Sequence, residues 1–189
     1  MMKLNKRAFT IVELMIAMGV FSAILGACAA LYVQLSQQYY KGVNIIKSQE
    51  AARNIVNEIT AKLQASDYRG KSSPSVKALC AGSTVYYARI GVVGNDTVGK
   101  YEDAAFCSGS SMFADPTPAS RQVLVDSSTS IHEFEVTANS ISVITAYGPL
   151  DTLENPGTVN VACRNGVDSK FCGISWLNGT ITRRTGGSL

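Results

Sequence analysis

The sequence predicts an α+β fold in which one long N-terminal helix packs on an antiparallel β-sheet. Three observations predict it: an uncharged apolar run at residues 14–33, an apolar stripe at helical spacing that continues to about Ser66, and short β-branched runs between turn residues in the rest of the chain. The 189 residues, 46% hydrophobic and 16% charged, suit one modest domain with an appendage.

The apolar run 14–33 is long enough to cross a membrane. Its 20 residues carry no formal charge, and a helix that rises about 1.5 Å per residue covers about 30 Å over this length, the thickness of a bilayer's hydrocarbon core. Lys3, Lys6 and Arg7 precede the run, and the next basic residue is Lys41. The positive-inside rule therefore predicts a cytoplasmic N-terminus and an extracytoplasmic C-terminal part.

The net charge of +3 gives no reason to expect a nucleic-acid partner. Three of the 17 basic residues precede the apolar run, and the other fourteen balance the 14 acidic residues. Arg183 and Arg184 form one basic pair near the C-terminus, which is too small for strong phosphate binding. Tyr86, Tyr87 and Arg89 could stack on bases, but strand and core packing explain them more simply.

The helix is predicted to continue beyond the membrane as an amphipathic helix. Gly42 is a candidate position for a bend, because Gly costs about 1 kcal/mol relative to Ala inside a helix. Residues 67–75 are rich in Gly, Ser and Pro and should form a loop that ends the helix. The apolar residues of the stripe are Ala52, Ile55, Ile59 and Leu63, with Tyr39 and Ile46 leading into them.

Short runs beyond this loop predict the sheet. The predicted strands are residues 84–93, 122–126, 131–137, 140–147 and 173–183. The runs 131–137 and 140–147, separated only by Ala138 and Asn139, form the best hairpin candidate.

Four of the five cysteines lie in the distal part, and an even set beyond a membrane helix favours disulfides in an oxidising compartment. Of the three possible pairings we favour Cys80 with Cys107 and Cys163 with Cys172, because short loops need little rearrangement of the chain. Each disulfide would contribute roughly 2 to 4 kcal/mol. A wholly reduced protein remains the alternative.

Glu13 interrupts the front of the apolar segment. A carboxylate in hydrocarbon costs roughly 2.5 to 3.5 kcal/mol on insertion scales, which a simple signal anchor has no reason to bear. A glutamate close enough to the headgroups to reach water is the plain explanation. Residues 6–15, KRAFTIVELM, favour a more specific one. They closely resemble the type IV prepilin signal, in which a short basic leader is cut before Phe and Glu stands fifth in the mature chain.

The resemblance to type IV pilins implies cleavage between Ala8 and Phe9, with Ala8 where the family usually has Gly. The prepilin peptidase that removes the leader typically also methylates the new N-terminus, here Phe9. Cleavage would create a largely cationic α-amino group four residues before Glu13. In a filament, the amino group of one subunit could pair with Glu13 of its neighbour, the accepted role of this glutamate in the family.

By the same resemblance, the chain is a structural subunit and not an enzyme. The stretch Gln49–Ile59 is similar to the distal helix of minor pilins and J-type pseudopilins, which favours a minor subunit of a type IV pilus or type II secretion filament over a major pilin. The implied partners are other pilin or pseudopilin subunits, the prepilin peptidase, the inner-membrane assembly platform and, before assembly, membrane lipid. The loop 161–172 resembles the disulfide-bounded surface loop near the end of many pilins, where partner contacts are often made.

This interpretation divides the chain into four segments. Residues 1–8 are the leader, 9–33 the transmembrane and filament-core helix, 34–66 its amphipathic continuation, and 67–189 a disulfide-bearing globular domain.

Cys28 offers a rival interpretation. Residues 25–28, LGAC, approximate a lipoprotein signal box, and residues 27–29 approximate an ordinary signal-peptidase site. Either would release an extracytoplasmic binding module from its helix. Against both, Glu13 interrupts the hydrophobic region and the chain continues apolar after Cys28. Otherwise Cys28 is a small apolar residue in a membrane helix. The small residues that suit close helix packing are Ala17, Gly19, Ala23, Gly26, Ala27 and Ala30.

Two features of the sequence resemble parts of chemical sites. Residues 94–100 have the spacing of a phosphate-binding loop, but Tyr101 replaces the hydroxyl that would hold Mg²⁺, so we expect a polar loop. His132 is the only histidine, and strand alternation places it on the face of Phe134 and Val136. We expect a half-buried structural histidine and no catalytic residue.

Metal binding has little support. Asp96, Glu102 and Asp103 could collect a calcium ion, although a solvated loop is the favoured explanation. The sequence has no paired CxxC, no HExxH and no EF-hand spacing. We therefore expect no metal and no cofactor.

Overall fold

The structure is a computed structural model that describes residues 10–66, 68–72, 76–94, 97–109, 120–137, 139–166 and 170–182. One long helix is followed by antiparallel strands, which confirms the predicted α+β architecture. The elements are α1 (Ile11–Ala65), β1 (Tyr68–Ser72), β2 (Val76–Ala81), β3 (Thr84–Arg89), β4 (Val98–Glu102), α2 (Ala104–Ser108), β5 (Gln122–Val123), β6 (Thr129–Val136), β7 (Ser140–Tyr147), a 3-10 turn (Leu150–Thr152), β8 (Leu153–Glu154), β9 (Ala162–Cys163) and β10 (Gly173–Thr180).

The chain forms two compact units, Met1–Tyr39 and Tyr40–Leu189. Helix α1 continues through Gly42 as helix and ends at Ala65, one residue before the predicted end. Its first part, residues 11–39, is the apolar segment, and the part from Tyr40 belongs to the second unit.

In the second unit, one stripe of α1 is buried against the strands. The predicted stripe residues are all at most 2% exposed, because they enter a core shared with β2, β3, β6 and β7. Tyr39 and Ile46, which lead into the stripe, do not follow the predicted pattern. They are 68% and 63% exposed, since the buried stripe begins at Ser48. The stripe residues are Ala52, Ile55, Ile59 and Leu63.

The strands form three antiparallel sheets. A five-stranded sheet has the order β1-β2-β3-β4-β5, a three-stranded sheet has the order β10-β7-β6, and β8 pairs with β9. Single bridges, Ile90 to Ile131 and Val93 to Ser130, connect the two larger sheets. The hairpin predicted around Ala138 and Asn139 is present as β6 and β7.

Several strands were not predicted. The segment 67–75, expected to be a loop, contains β1, which pairs along its whole length with β2. Strands β2, β4, β8 and β9 were also absent from the prediction, and β5 is shorter than the predicted run 122–126.

Both disulfides anchor peripheral segments. Cys80 on β2 bonds Cys107 on α2, and Cys163 on β9 bonds Cys172, the residue before β10. These are the pairings that short loops favour. Cys80 and Cys107 belong to a small core on the face of the five-stranded sheet that points away from α1, whereas Cys172 lies in another core under β8 and β9.

Candidate assembly site in the N-terminal helix

Thr10 and Glu13 close the N-terminus of α1 with reciprocal hydrogen bonds. The Thr10 hydroxyl oxygen accepts from the Glu13 N–H at 3.2 Å, and Glu13 Oε2 accepts from the Thr10 N–H at 3.0 Å. The Thr10 hydroxyl also donates to Glu13 Oε2 at 3.0 Å. This arrangement is a capping box. The N–H groups of the two residues lack partners within the helix, and each donates to the side chain of the other residue. The glutamate is therefore held at a defined point one turn into the helix.

Thr10 was missed as a functional residue in the sequence. The signal was present, because Thr-x-x-Glu before an apolar run is the sequence form of a capping box, and residues 10–13 are TIVE.

The capping box uses one carboxylate oxygen of Glu13. Within the part of the chain that the structure describes, both hydrogen bonds to this carboxylate end on Oε2. The second oxygen, Oε1, accepts no hydrogen bond from the described residues. Ala8 and Phe9, the predicted processing residues, lie outside the described residues.

The helix after Glu13 presents a large apolar surface. Side chains at residues 11–35 are exposed, including Ile11 at 80% and Met15 at 70%. Among the described residues this is the one helix long and apolar enough to cross a membrane. An apolar surface of this extent is stable only against lipid or other apolar helices.

Small residues interrupt this apolar surface. A Cβ added at Gly19 or Gly26 would meet no atom within 4 Å, so the space beside each is open to a neighbouring helix. Cys28, which is a free cysteine, is exposed on the same segment. Ser22 satisfies its hydroxyl inside the helix by donating to the Met18 carbonyl at 2.8 Å.

The described residues of the phosphate-loop spacing at 94–100 do not have the geometry of a phosphate-binding loop. Gly99 and Lys100 lie within β4 and not at the start of a helix. Lys100 is committed to an ion pair, its Nζ 2.5 Å from Glu58 Oε1. This hydrogen bond lowers the pKa of Glu58. The pair ties β4 to α1 and is structural.

Two of the three acidic residues considered for calcium, Glu102 and Asp103, are engaged in hydrogen bonds within the protein. Glu102 accepts from the hydroxyls of Ser83 and Thr84, both at 2.7 Å, which lowers its pKa. Asp103 caps α2 by accepting from the Phe106 N–H at 2.9 Å. Asp96 lies outside the described residues. Among the residues that are described, no group of three or more His, Cys, Asp or Glu side chains could hold a metal ion.

His132 is more deeply buried than predicted, at 2% exposure. A β-bulge between Ile131 and Glu133 makes it the extra residue of β6, so strict alternation does not give its surroundings. Its Nδ1 accepts from the Gly157 N–H at 2.7 Å, and its Nε2 lies 2.8 Å from Ser130 Oγ. Burial lowers its pKa to about 4, so the ring is neutral near pH 7. A ring with both nitrogens engaged in this way is a structural link.

Tyr86 and Tyr87 are both buried, at 1% and 0% exposure, because β3 has a core on each face. Neither ring can stack on a base. Arg183 and Arg184 lie outside the described residues, as do residues 167–169 of the loop that the second disulfide closes.

Comparison with known proteins gives one match, and it falls on the candidate site. A family model described as the prokaryotic N-terminal methylation motif matches residues 3–29, which include Ala8, Phe9, Thr10 and Glu13. No curated protein and no solved structure matches the chain. The motif indicates a prepilin-processed structural subunit that is anchored in a membrane by its N-terminal helix. The methylation motif, the long helix and the antiparallel sheets together make the chain similar to type IV pilin-like proteins.

Proposed function

We propose that the chain is a minor pilin or J-type pseudopilin, a structural subunit of a type IV pilus or a type II secretion filament. The observation that carries the proposal is the Glu13 carboxylate, which the capping box holds in place through Oε2. It lies on a helix whose apolar surface needs other helices or lipid to cover it.

The prepilin peptidase removes residues 1–8, with Ala8 before the cut, and methylates Phe9. The N-terminus starts in the cytoplasm, because the basic residues precede the membrane span. Residues 67–189 are exported with both disulfides, Cys80–Cys107 and Cys163–Cys172, which suits an oxidising compartment. The inner-membrane assembly platform then takes the subunit from lipid into the filament.

In the filament, the α-amino group of Phe9 in one subunit donates to Glu13 of the next. A carboxylate and an ammonium group in an apolar core are costly apart and compensate each other when paired. The charge pair therefore fixes the axial register between helices that would otherwise slide past one another on uniform apolar surfaces.

Processing gives the direct test. The full chain is co-expressed with a prepilin peptidase, and the intact mass of the purified protein is measured. We expect loss of residues 1–8 and gain of one methyl group on Phe9. A lipid adduct on Cys28, or loss of residues 1–27, would contradict the proposal and assign the chain to a released or lipidated binding module.

Replacement of Ala8 by Gly supplies a matched control. This variant has the residue usual in the family before the cut, so it should be processed at least as fast as the natural chain. If neither chain is cut while an authentic prepilin is cut in the same cells, the processing proposal is wrong.

A further inference from the structure

The three-stranded sheet packs one face on α1, and its other face is covered only in part. Gly179 on β10 lies beside Val56 of α1, so the alternate residues of β10 point to the opposite face. Near the start of β10 that face is covered by β8 and β9, over a small core that includes Ala146 and Cys172. From Trp176 to the end of the strand, the side chains on that face are exposed.

The strand registers arrange this uncovered area in three rows. In each row a residue of β10 lies opposite a residue of β7, which in turn lies opposite one in β6 or directly after it. Neighbouring strands are about 4.8 Å apart, so a row is about 10 Å long. We call these nine residues the open face. The rows are Trp176, Ile144 and Glu133, then Asn178, Ser142 and Glu135, then Thr180, Ser140 and Thr137.

Trp176 provides the apolar part of the open face. It is the only tryptophan of the chain, and it is 60% exposed. Its neighbour in the row, Ile144, is 3% exposed and belongs to the covered core. The indole ring is therefore the one large apolar group that the open face presents to solvent, and such rings are typical anchors for a binding partner.

The other exposed groups of the open face form hydrogen bonds, and none is a base. The Ser142 hydroxyl donates to Glu133 Oε1 at 3.0 Å. Glu135 and Asn178, which flank Ser142 in the second row, are exposed. Carboxylates accept hydrogen bonds, whereas an amide both donates and accepts. With two carboxylates and no lysine or arginine among its nine residues, the open face disfavours anionic ligands.

A cavity of about 710 Å³ adjoins the open face at β6. Glu133 and Glu135 line this cavity, and so does Lys77 of β2. The lysine partly balances the charge of the two glutamates at this edge. The open face is therefore not a strongly acidic surface that selects cations, and exposed ion pairs with a basic partner would contribute little.

A ligand that matches the open face has a flat apolar side and hydroxyl groups around it. A pyranose ring has both, because its C–H groups pack on an aromatic ring while its hydroxyls donate to carboxylates and exchange hydrogen bonds with amides. A chain of β-linked rings is an extended ribbon, which suits a flat sheet better than it suits an enclosed pocket. One ring on Trp176 leaves the next ring within reach of Glu133 along the same row.

We propose that the open face binds a neutral polysaccharide of β-linked pyranose rings. One ring stacks on Trp176, and the hydroxyls of the adjacent rings bind Glu133, Glu135 and Asn178. All of these residues belong to the unit Tyr40–Leu189, and the inference uses no other part of the chain. It goes beyond the proposed role as a filament subunit and does not depend on it.

The indole of Trp176 reports binding directly, because the chain has no other tryptophan. The full chain, in a detergent without a sugar headgroup, is titrated with cellohexaose and separately with the hexamer of β-1,4-linked N-acetylglucosamine. We expect a saturable change in indole emission with at least one of them at millimolar concentration. Oligogalacturonate, which is anionic, and pentalysine, which is cationic, should each leave the emission unchanged.

Variants separate stacking from ionic attraction, with binding measured by depletion of the full chain on cellulose and chitin beads. Trp176→Ala should lower the association constant by about tenfold or more, and Trp176→Phe, which retains a ring, should lower it less. Phe171→Ala removes an exposed aromatic ring outside the open face and should bind like the natural chain. Glu133→Gln combined with Glu135→Gln keeps hydrogen-bond acceptors and should bind within about twofold of it. All variants should retain both disulfides and the natural resistance to protease.

Three outcomes would overturn the inference. The first is unchanged emission with both hexasaccharides and no retention on either type of bead. The second is natural retention of Trp176→Ala and Trp176→Phe, which places the sugar elsewhere on the protein. The third is an emission change with pentalysine alone that the double glutamine variant loses, which assigns the open face to a basic protein partner. None of these outcomes bears on removal of residues 1–8, so the proposed function is tested separately.

Discussion

Thr10 positions Glu13 through hydrogen bonds within a single chain, before any partner is present. The carboxylate is thereby oriented at the first turn of α1, with Oε2 accepting both hydrogen bonds from Thr10. A glutamate without this cap would sample several rotamers and lose entropy on pairing. The cap therefore lowers the entropic cost of any later contact with a neighbouring subunit.

Replacing Thr10 by Ala should fray the first turn of α1. The Thr10 hydroxyl accepts from the Glu13 N–H, and loss of such a cap costs about 1 kcal/mol. In detergent micelles, hydrogen exchange at the Glu13 amide should become about fivefold faster. Thr10→Ser retains the hydroxyl and should exchange at the natural rate. Equal exchange in Thr10→Ala and the natural chain would show that the capping box does not form in solution.

His132 should make the folded unit sensitive to acid. Its pKa is lowered from the ordinary 6.5 to about 4 by burial, so the unfolded chain binds the proton more readily than the folded chain. The stabilisation is complete above pH 6.5, falls as the pH drops from 6.5 to 4, and is lost below about 4. The expected loss is up to about 3 kcal/mol in the free energy of unfolding.

Urea unfolding of the full chain in detergent at a series of pH values measures this effect. His132→Asn removes the titrating group and should flatten the dependence between pH 6.5 and 5, above the range in which Glu58 and Glu102 with their lowered pKa values contribute. A natural chain whose stability is constant from pH 7 to 5 would be incompatible with a buried neutral ring.

At the scale of elements, β10 lies unusually close to α1. A Cβ added at Gly173 would overlap the backbone of Asn44 and the nitrogen of Ile45. Backbone atoms of a helix cannot rotate away, so β10 would have to move and disturb its register with β7. The absence of a side chain at Gly173 therefore sets the distance between α1 and β10 near Asn44.

Gly173→Ala should lower the free energy of unfolding by roughly 1 to 3 kcal/mol. Gly179→Ala on the same strand is the matched control. Its Cβ would meet only side-chain carbons of Ile141 and Val56, both at 3.1 Å, which can shift. Denaturant unfolding of both variants decides the point. If Gly179→Ala is as costly as Gly173→Ala, the close backbone approach is not what matters.

The sequence predicts well those elements whose own residue pattern is enough to identify them. The stripe of Ile55 and Ile59, and the hairpin of β6 and β7, follow from periodicity and a short turn. Strand β1 does not, because its sequence YRGKS has little strand propensity and is extended through its pairing with β2. Strand β2 has four consecutive buried residues, since the sheet is covered on both faces, so no alternation marks it.

The candidate site was predicted in part for the same reason. Glu13 stands out because a charge in an apolar run is costly, whereas Thr10 carries no such contrast and becomes visible only with its hydrogen bonds. At His132, the β-bulge shifts by one residue the alternation of side chains between the two faces of β6. A regular two-residue alternation therefore does not predict which way His132 faces. Lys100 is the opposite case. Its place in the phosphate-loop spacing suggests nucleotide binding, but its side chain forms a structural ion pair with Glu58.

For the whole molecule, α1 is one helix with two kinds of surface. From Tyr40 onward its apolar stripe is buried by the sheets, while the apolar residues before it remain exposed. Folding of the globular unit and covering of the apolar segment are therefore separate events, carried by different residues. A change confined to Glu13 should alter assembly and leave the folded unit intact.

Glu13→Ala tests this separation and the proposed pairing with Phe9. The variant removes the partner of the neighbour's α-amino group, so that group would enter the filament core unpaired. Removal of one partner of a buried ion pair costs roughly 3 to 5 kcal/mol. Incorporation into sheared filaments, quantified by immunoblotting against the membrane pool, should fall by at least about a hundredfold. Glu50→Ala, an exposed glutamate on the same helix, should assemble normally. Both variants should retain the two disulfides and the natural resistance of the globular unit to protease. Normal incorporation of Glu13→Ala would mean that apolar packing alone sets the register, whereas a protease-sensitive globular unit would mean that the two surfaces of α1 are not independent.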